Sequence, residues 1–128
     1  MSEVQFVQRF RFRTARSWSQ PIPCNPHYQV RAVFLPAALY ADGARWVQMQ
    51  TRADSNSWYD VWMYGGPRHV NQLQPEGKWY VFNPPCTGLI EIRFTVWTGP
   101  QSGPKDPHVM TTGVPAKLLS WKPNTHTS

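Results

Sequence analysis

Acidic side chains are scarce in this chain of 128 residues. Seven Asp and Glu stand against thirteen Lys and Arg, which leaves a formal charge of +6. Cysteine is scarcer still, with Cys24 and Cys86 alone. Neither belongs to a C-x-x-C pair and no histidine stands at zinc-ligand spacing, so no metal site is expected. A disulfide between Cys24 and Cys86 is expected only if the chain matures in an oxidising compartment. Two free thiols near strand ends are the alternative. No apolar run approaches the roughly 20 residues that cross a bilayer as a helix. The first sixteen residues lack an apolar stretch followed by a small-residue cleavage site, so no signal peptide is expected. These absences point to a soluble chain that does not insert into a membrane, and they leave its compartment open.

Catalytic signatures are missing too. There is no G-x-S-x-G, P-loop, G-x-G-x-x-G or H-E-x-x-H. The histidines at 27, 69, 108 and 126 are scattered through expected loops and the tail. Asp60 and Glu91 both point outward on strands, but nothing in the sequence positions them as a glycosidase pair. The expectation is a protein that is not an enzyme and carries no cofactor.

What the chain does contain is aromatic, apolar and basic. It has seven Trp, and its hydrophobic residues make up 41%. That is enough for one folded domain, placed at residues 1–121, with 122–128 as a flexible tail. Arginine dominates the basic residues, a balance that suits acidic partners.

Hydrophobicity alternates with period two almost throughout, the mark of half-buried antiparallel strands. Strands are expected at 3–14, 27–35, 45–52, 58–64, 78–83, 88–98 and 114–121. Pro21, Pro23 and Pro26 should break regular structure. Residues 37–42 could hold one helical turn, and 68–77 read as loop. About seven strands with no amphipathic helix give an all-β antiparallel sandwich of jelly-roll or immunoglobulin-like type. A closed β-barrel is the second choice.

Residues 45–52 and 58–64 flank a five-residue polar loop suited to a hairpin. Closing it pairs Arg52 with Trp58, Gln50 with Asp60, Gln48 with Trp62 and Trp46 with Tyr64. These eight side chains then share the outward face, while Val47, Met49, Thr51, Tyr59, Val61 and Met63 face the core. Three indoles and a phenol among amides, a carboxylate and a guanidinium suit a sugar. The pyranose C–H face stacks on a ring and the polar groups meet its hydroxyls. The alternative is that another layer covers these tryptophans as ordinary core.

The first strand carries Arg9, Arg11 and Arg13 on one side, about 7 Å apart, continued by Arg16. Such a row matches phosphates or carboxylates along an extended polymer. It would equally guard an edge strand against unwanted pairing.

The segments Arg45-Trp46-Val47-Gln48-Met49, Ser55-Asn56-Ser57-Trp58, Lys78-Trp79-Tyr80-Val81-Phe82 and Gly88-Leu89-Ile90-Glu91-Ile92-Arg93-Phe94 together resemble the small sandwich domain of expansins and grass-pollen allergens. The resemblance covers less than half of the chain. Residues 65–77 and the arginine-rich first strand depart from it. It implies sugar binding and nothing about catalysis.

The leading expectation is a non-catalytic, lectin-like carbohydrate-binding module that uses the aromatic face. The alternative is a structural subunit of a larger assembly, such as a virus coat, tail or decoration protein or an accessory subunit. A third reading is a binder of single-stranded nucleic acid. The expected partners are a carbohydrate or acidic polymer, other protein subunits in a homo-oligomer or assembly, or nucleic acid.

Overall fold

A computed structural model describes residues 4–14, 18–54, 57–63, 70–99 and 113–122. Among them are nine strands and one short helix: β1 (Val4–Phe12), β2 (Ile22–Pro23), β3 (Gln29–Leu35), α1 (Ala37–Ala41), β4 (Trp46–Arg52), β5 (Tyr59–Asp60), β6 (Val70–Gln72), β7 (Lys78–Thr87), β8 (Glu91–Trp97) and β9 (Val114–Lys122). They form two antiparallel sheets packed as a β-sandwich. One sheet has the order β1-β9-β3-β7, the other β2-β8-β4-β5, with β6 also pairing β4. Among the described residues the sheets keep open edges and do not close into a barrel.

The alternation that suggested strands also builds the core. From the first sheet Phe12, Val33 and Phe82 point inward, and from the second Met49, Ile92 and Phe94, all essentially inaccessible. Phe12 stacks on Phe94 across the two layers at 4.6 Å, and Phe10 follows at 5.9 Å. Burial of each such side chain contributes about 1.5–3 kcal/mol. The inward row on β1 thins toward its start: Phe6 is 46% exposed and meets Tyr28 edge-on.

Several boundaries differ from expectation. Pro23 does not prevent pairing, because β2 is a two-residue edge strand against β8. A short strand, β6, lies within the expected 68–77 loop. β7 runs past Pro84 and Pro85, which fall where the β3–β7 register shifts and β3 needs no donor from them. β9 includes Lys122, which was expected in the tail, and 123–128 lie outside the described residues.

The expected 58–64 arm is corrected most. Gln50 pairs with Asp60 and Thr51 with Tyr59, in the anticipated register. The chain then leaves β4. Val61 N–H still donates to the Met49 carbonyl, but the Trp62 carbonyl accepts from Asn83 N–H and Met63 bridges Phe82 in the other sheet. β6 takes the vacated edge, pairing Trp46 with Gln72 and Gln48 with Val70. Gln48 therefore does not pair with Trp62, and the expected pairing of Trp46 with Tyr64 lies outside the described residues. Tyr59, expected in the core, is 66% exposed. Among the described residues, no helix is long and apolar enough to cross a membrane.

Candidate functional site

The outward face of the second sheet is built mainly by β4 and β8. Their register sets Arg52 opposite Glu91, Gln50 opposite Arg93, Gln48 opposite Thr95 and Trp46 opposite Trp97. β4 supplies its even residues and β8 its odd ones, as the pleat requires. Asp60 comes in from β5, and Trp18 and Trp58 lie over the sheet.

The polar groups on this face bond to one another. Asp60 Oδ1 accepts from Gln48 Nε2 at 2.7 Å and from Gln50 Nε2 at 2.9 Å. Gln50 Oε1 accepts from Arg93 Nε at 3.0 Å and Nη2 at 2.6 Å. Arg52 pairs with Glu91. The Arg93 guanidinium lies 4.6 Å from the Trp18 ring centre and 4.2 Å from that of Trp58, which Arg52 also covers at 4.6 Å. Burial, and secondarily the nearby Arg52 charge, pull the Arg93 pKa down from its ordinary value.

Of the eight residues expected to bind sugar, six thus gather on one face: Trp46, Gln48, Gln50, Arg52, Trp58 and Asp60. Trp62 is half exposed but sits where the chain crosses between sheets. Tyr64 lies outside the described residues. Gln48 is buried, and Trp97 at the same end of the face is inaccessible. The amides and carboxylate that would read hydroxyls already serve each other, and Trp58 already carries guanidiniums. Sequence reasoning missed Trp18, Glu91 and Arg93 as members of this network. The outward parity of Glu91 and Arg93 was visible, but their registration with β4 was not.

The first sheet presents a different surface. Its register lines up Arg9, Lys117, Phe34 and Trp79 across all four strands, and Val7, Leu119, Ala32 and Val81 in the next row. Lys117 Nζ lies 5.1 Å from the Phe34 ring centre, and Phe34 meets Trp79 at 5.4 Å. Arg9, Arg11, Phe34, Pro36, Pro115 and Lys117 line a cleft of about 510 Å³. A second cleft of about 400 Å³ shares Arg11 with it and is lined also by Arg13, Trp18 and Gln20.

Arg9, Arg11 and Arg13 are all exposed. Arg11 Nη1 donates to the Gly113 carbonyl at 3.3 Å. Among the described residues no carboxylate pairs with these three arginines or with Lys117. Arg16 lies outside the described residues. Trp79 and Val81 went unrecognised in the sequence as outward residues. The signal was there, because Trp79-Tyr80-Val81-Phe82 is apolar at both parities, so one face of β7 must carry exposed hydrophobic groups unless something covers it.

The cysteines are separate thiols rather than a disulfide. Cys24 Sγ donates toward the Ile22 carbonyl and Cys86 Sγ toward that of Pro84. Burial, and then the Glu91 charge, push Cys24 up to about 12, and burial raises Cys86. Both are poor nucleophiles and poor metal ligands near neutral pH. No cluster of three or more His, Cys, Asp or Glu suited to a metal ion occurs among the described residues.

Compared with protein-family models, curated proteins and solved structures, the chain gives no match. The expansin-like pattern therefore gains no support from relatives, and function rests on the two surfaces themselves.

Proposed function

We propose that this chain is a non-catalytic binding module for an acidic polysaccharide, held along the Arg9, Arg11, Arg13 and Lys117 surface. The observation that carries this reading is three exposed arginines, with the partly exposed Lys117 beside them, that have no carboxylate partner among the described residues and line two clefts sharing Arg11. Guanidiniums bind carboxylates and sulfates with paired, charge-assisted hydrogen bonds. The carbohydrate expectation is kept but moved. The amides and carboxylate of the Trp46–Arg52 face are engaged with each other, which disfavours a neutral sugar there. Single-stranded nucleic acid is the weaker reading, because stacking needs free ring faces. Phe34 already carries Lys117 on its ring and Trp18 carries Arg93.

Calorimetric titration tests this with a sulfated polysaccharide, a polyuronate, a neutral glucan and an oligothymidine. The two acidic polysaccharides should bind, and binding should weaken steeply as salt rises. Arg9→Ser with Arg11→Ser should reduce it at least tenfold. Binding of the neutral glucan alone, or of the oligothymidine alone, overturns the reading.

A further inference from the structure

A sheet edge exposes unpaired backbone donors and acceptors, and folded proteins blunt such edges by shortness, proline, covering or charge. Nearly every edge in this sandwich is blunted. β2 has two residues, one of them proline, β5 has two and β6 three. β7 carries Pro84 and Pro85, and the 61–63 segment covers part of its outer side through Asn83 and Phe82. β1 differs, because only the charges of Arg9 and Arg11 guard it. It is nine residues long, contains no proline, and has β9 as its sole strand neighbour among the described residues.

The two faces of β1 differ in kind. On the outer face Val7 is followed by Arg9 and Arg11. On the inner face Val4 is 57% exposed and Phe6 46%, so their apolar surface is left uncovered at the sandwich rim. A second copy of β1 is a poor occupant. In the fully overlapped antiparallel register Arg9 lies diagonal to its counterpart, and in the register centred on Arg9 the two lie directly opposite, so like charges repel in both. A strand with acids on one face and apolar groups on the other satisfies both sides at once.

We infer that β1 is a docking edge for an extended segment of another protein in which acidic and apolar residues alternate. The segment adds a fifth strand to the first sheet. Its carboxylates meet Arg9 and Arg11, its apolar side chains cover Val4 and Phe6, and the main chain supplies the ladder. Arg9 and Arg11 are shared with the proposed polysaccharide surface, but the backbone edge is not, so either reading can fail without the other.

The test uses capped nine-residue peptides on the whole chain, followed by amide chemical shifts and hydrogen exchange. The probes alternate Glu with Val, alternate Lys with Val, or repeat the Glu-Val peptide with N-methyl groups at every second amide. The Glu-Val peptide should bind and slow exchange of the outward-directed β1 amides at least tenfold. The Lys-Val and N-methylated peptides should bind at least tenfold more weakly. Arg9→Glu with Arg11→Glu should invert the preference toward Lys-Val. No Glu-Val binding at millimolar concentration overturns the proposal, and so does equal binding of the N-methylated peptide, which would reduce the contact to charge alone. Both of those readings use the unaltered chain and do not depend on the double variant folding.

Discussion

The guanidinium of Arg93 lies 4.2 Å from the ring centre of Trp58 while its Nη2 donates to Gln50 at 2.6 Å. Trp18 lies on the same guanidinium. Arg93 therefore joins two indoles to the β4 amide row. Replacing it with alanine removes two ring contacts and a charge-assisted pair of hydrogen bonds. The expected loss of stability is about 2–4 kcal/mol, read from the urea midpoint at constant slope. Arg93→Lys should recover less than half of that, because an ammonium lacks the planar fork. An alanine variant within about 0.5 kcal/mol of the parent would show the stack to be incidental.

Asp60 is exposed, yet it is the acceptor for two amides, one of them on the buried Gln48. Asp60→Ala strands a buried donor, so a loss of about 1–3 kcal/mol is expected in the same unfolding experiment. Adding Gln48→Leu to that variant should restore part of the loss, since the stranded group is then gone. Additive losses would contradict the pairing.

The half-buried Cys24 thiol gives a pH signature. The Cys24 pKa is raised from 9.0 to about 12 in the folded chain, so the fold favours the protonated thiol. Its contribution is complete below pH 9 and lost as pH rises from 9 toward 12, where the unfolded chain releases the proton first. Stability should decline across that window, and Cys24→Ala should flatten the decline. At pH 8 iodoacetamide should label neither cysteine quickly until urea unfolds the chain. Rapid labelling of Cys24 in the native state would contradict its burial.

The legible part of this fold is the part written in local alternation. β1, β3, β4, β8 and β9 fall close to where period two places them, and the Gln50–Asp60 register follows from loop length alone. The 61–63 crossing was not legible, because Val61 and Met63 are apolar at alternate positions whether the strand stays on β4 or passes to β7. The same limit hid the network. Glu91 and Arg93 face outward by parity, but opposing them to Arg52 and Gln50 needs a pairing across some forty residues, which no turn encodes. The cationic row was half legible: Arg9 and Arg11 stood out on β1, while Lys117 and Phe34 joined them only through the four-strand register.

The long ladder between β1 and β9, from Val4 opposite Lys122 to Phe12 opposite Val114, joins segments more than a hundred residues apart. On the ribosome the first of these strands emerges long before its mate exists. Through most of synthesis, Phe6, Phe10, Phe12 and the three arginines have no sheet to join, and the sandwich can shut only after Lys122 clears the exit tunnel. Closure at such separation is slow relative to local pairing. Over that interval, repulsion between the Arg9 and Arg11 charges of neighbouring nascent chains opposes their annealing.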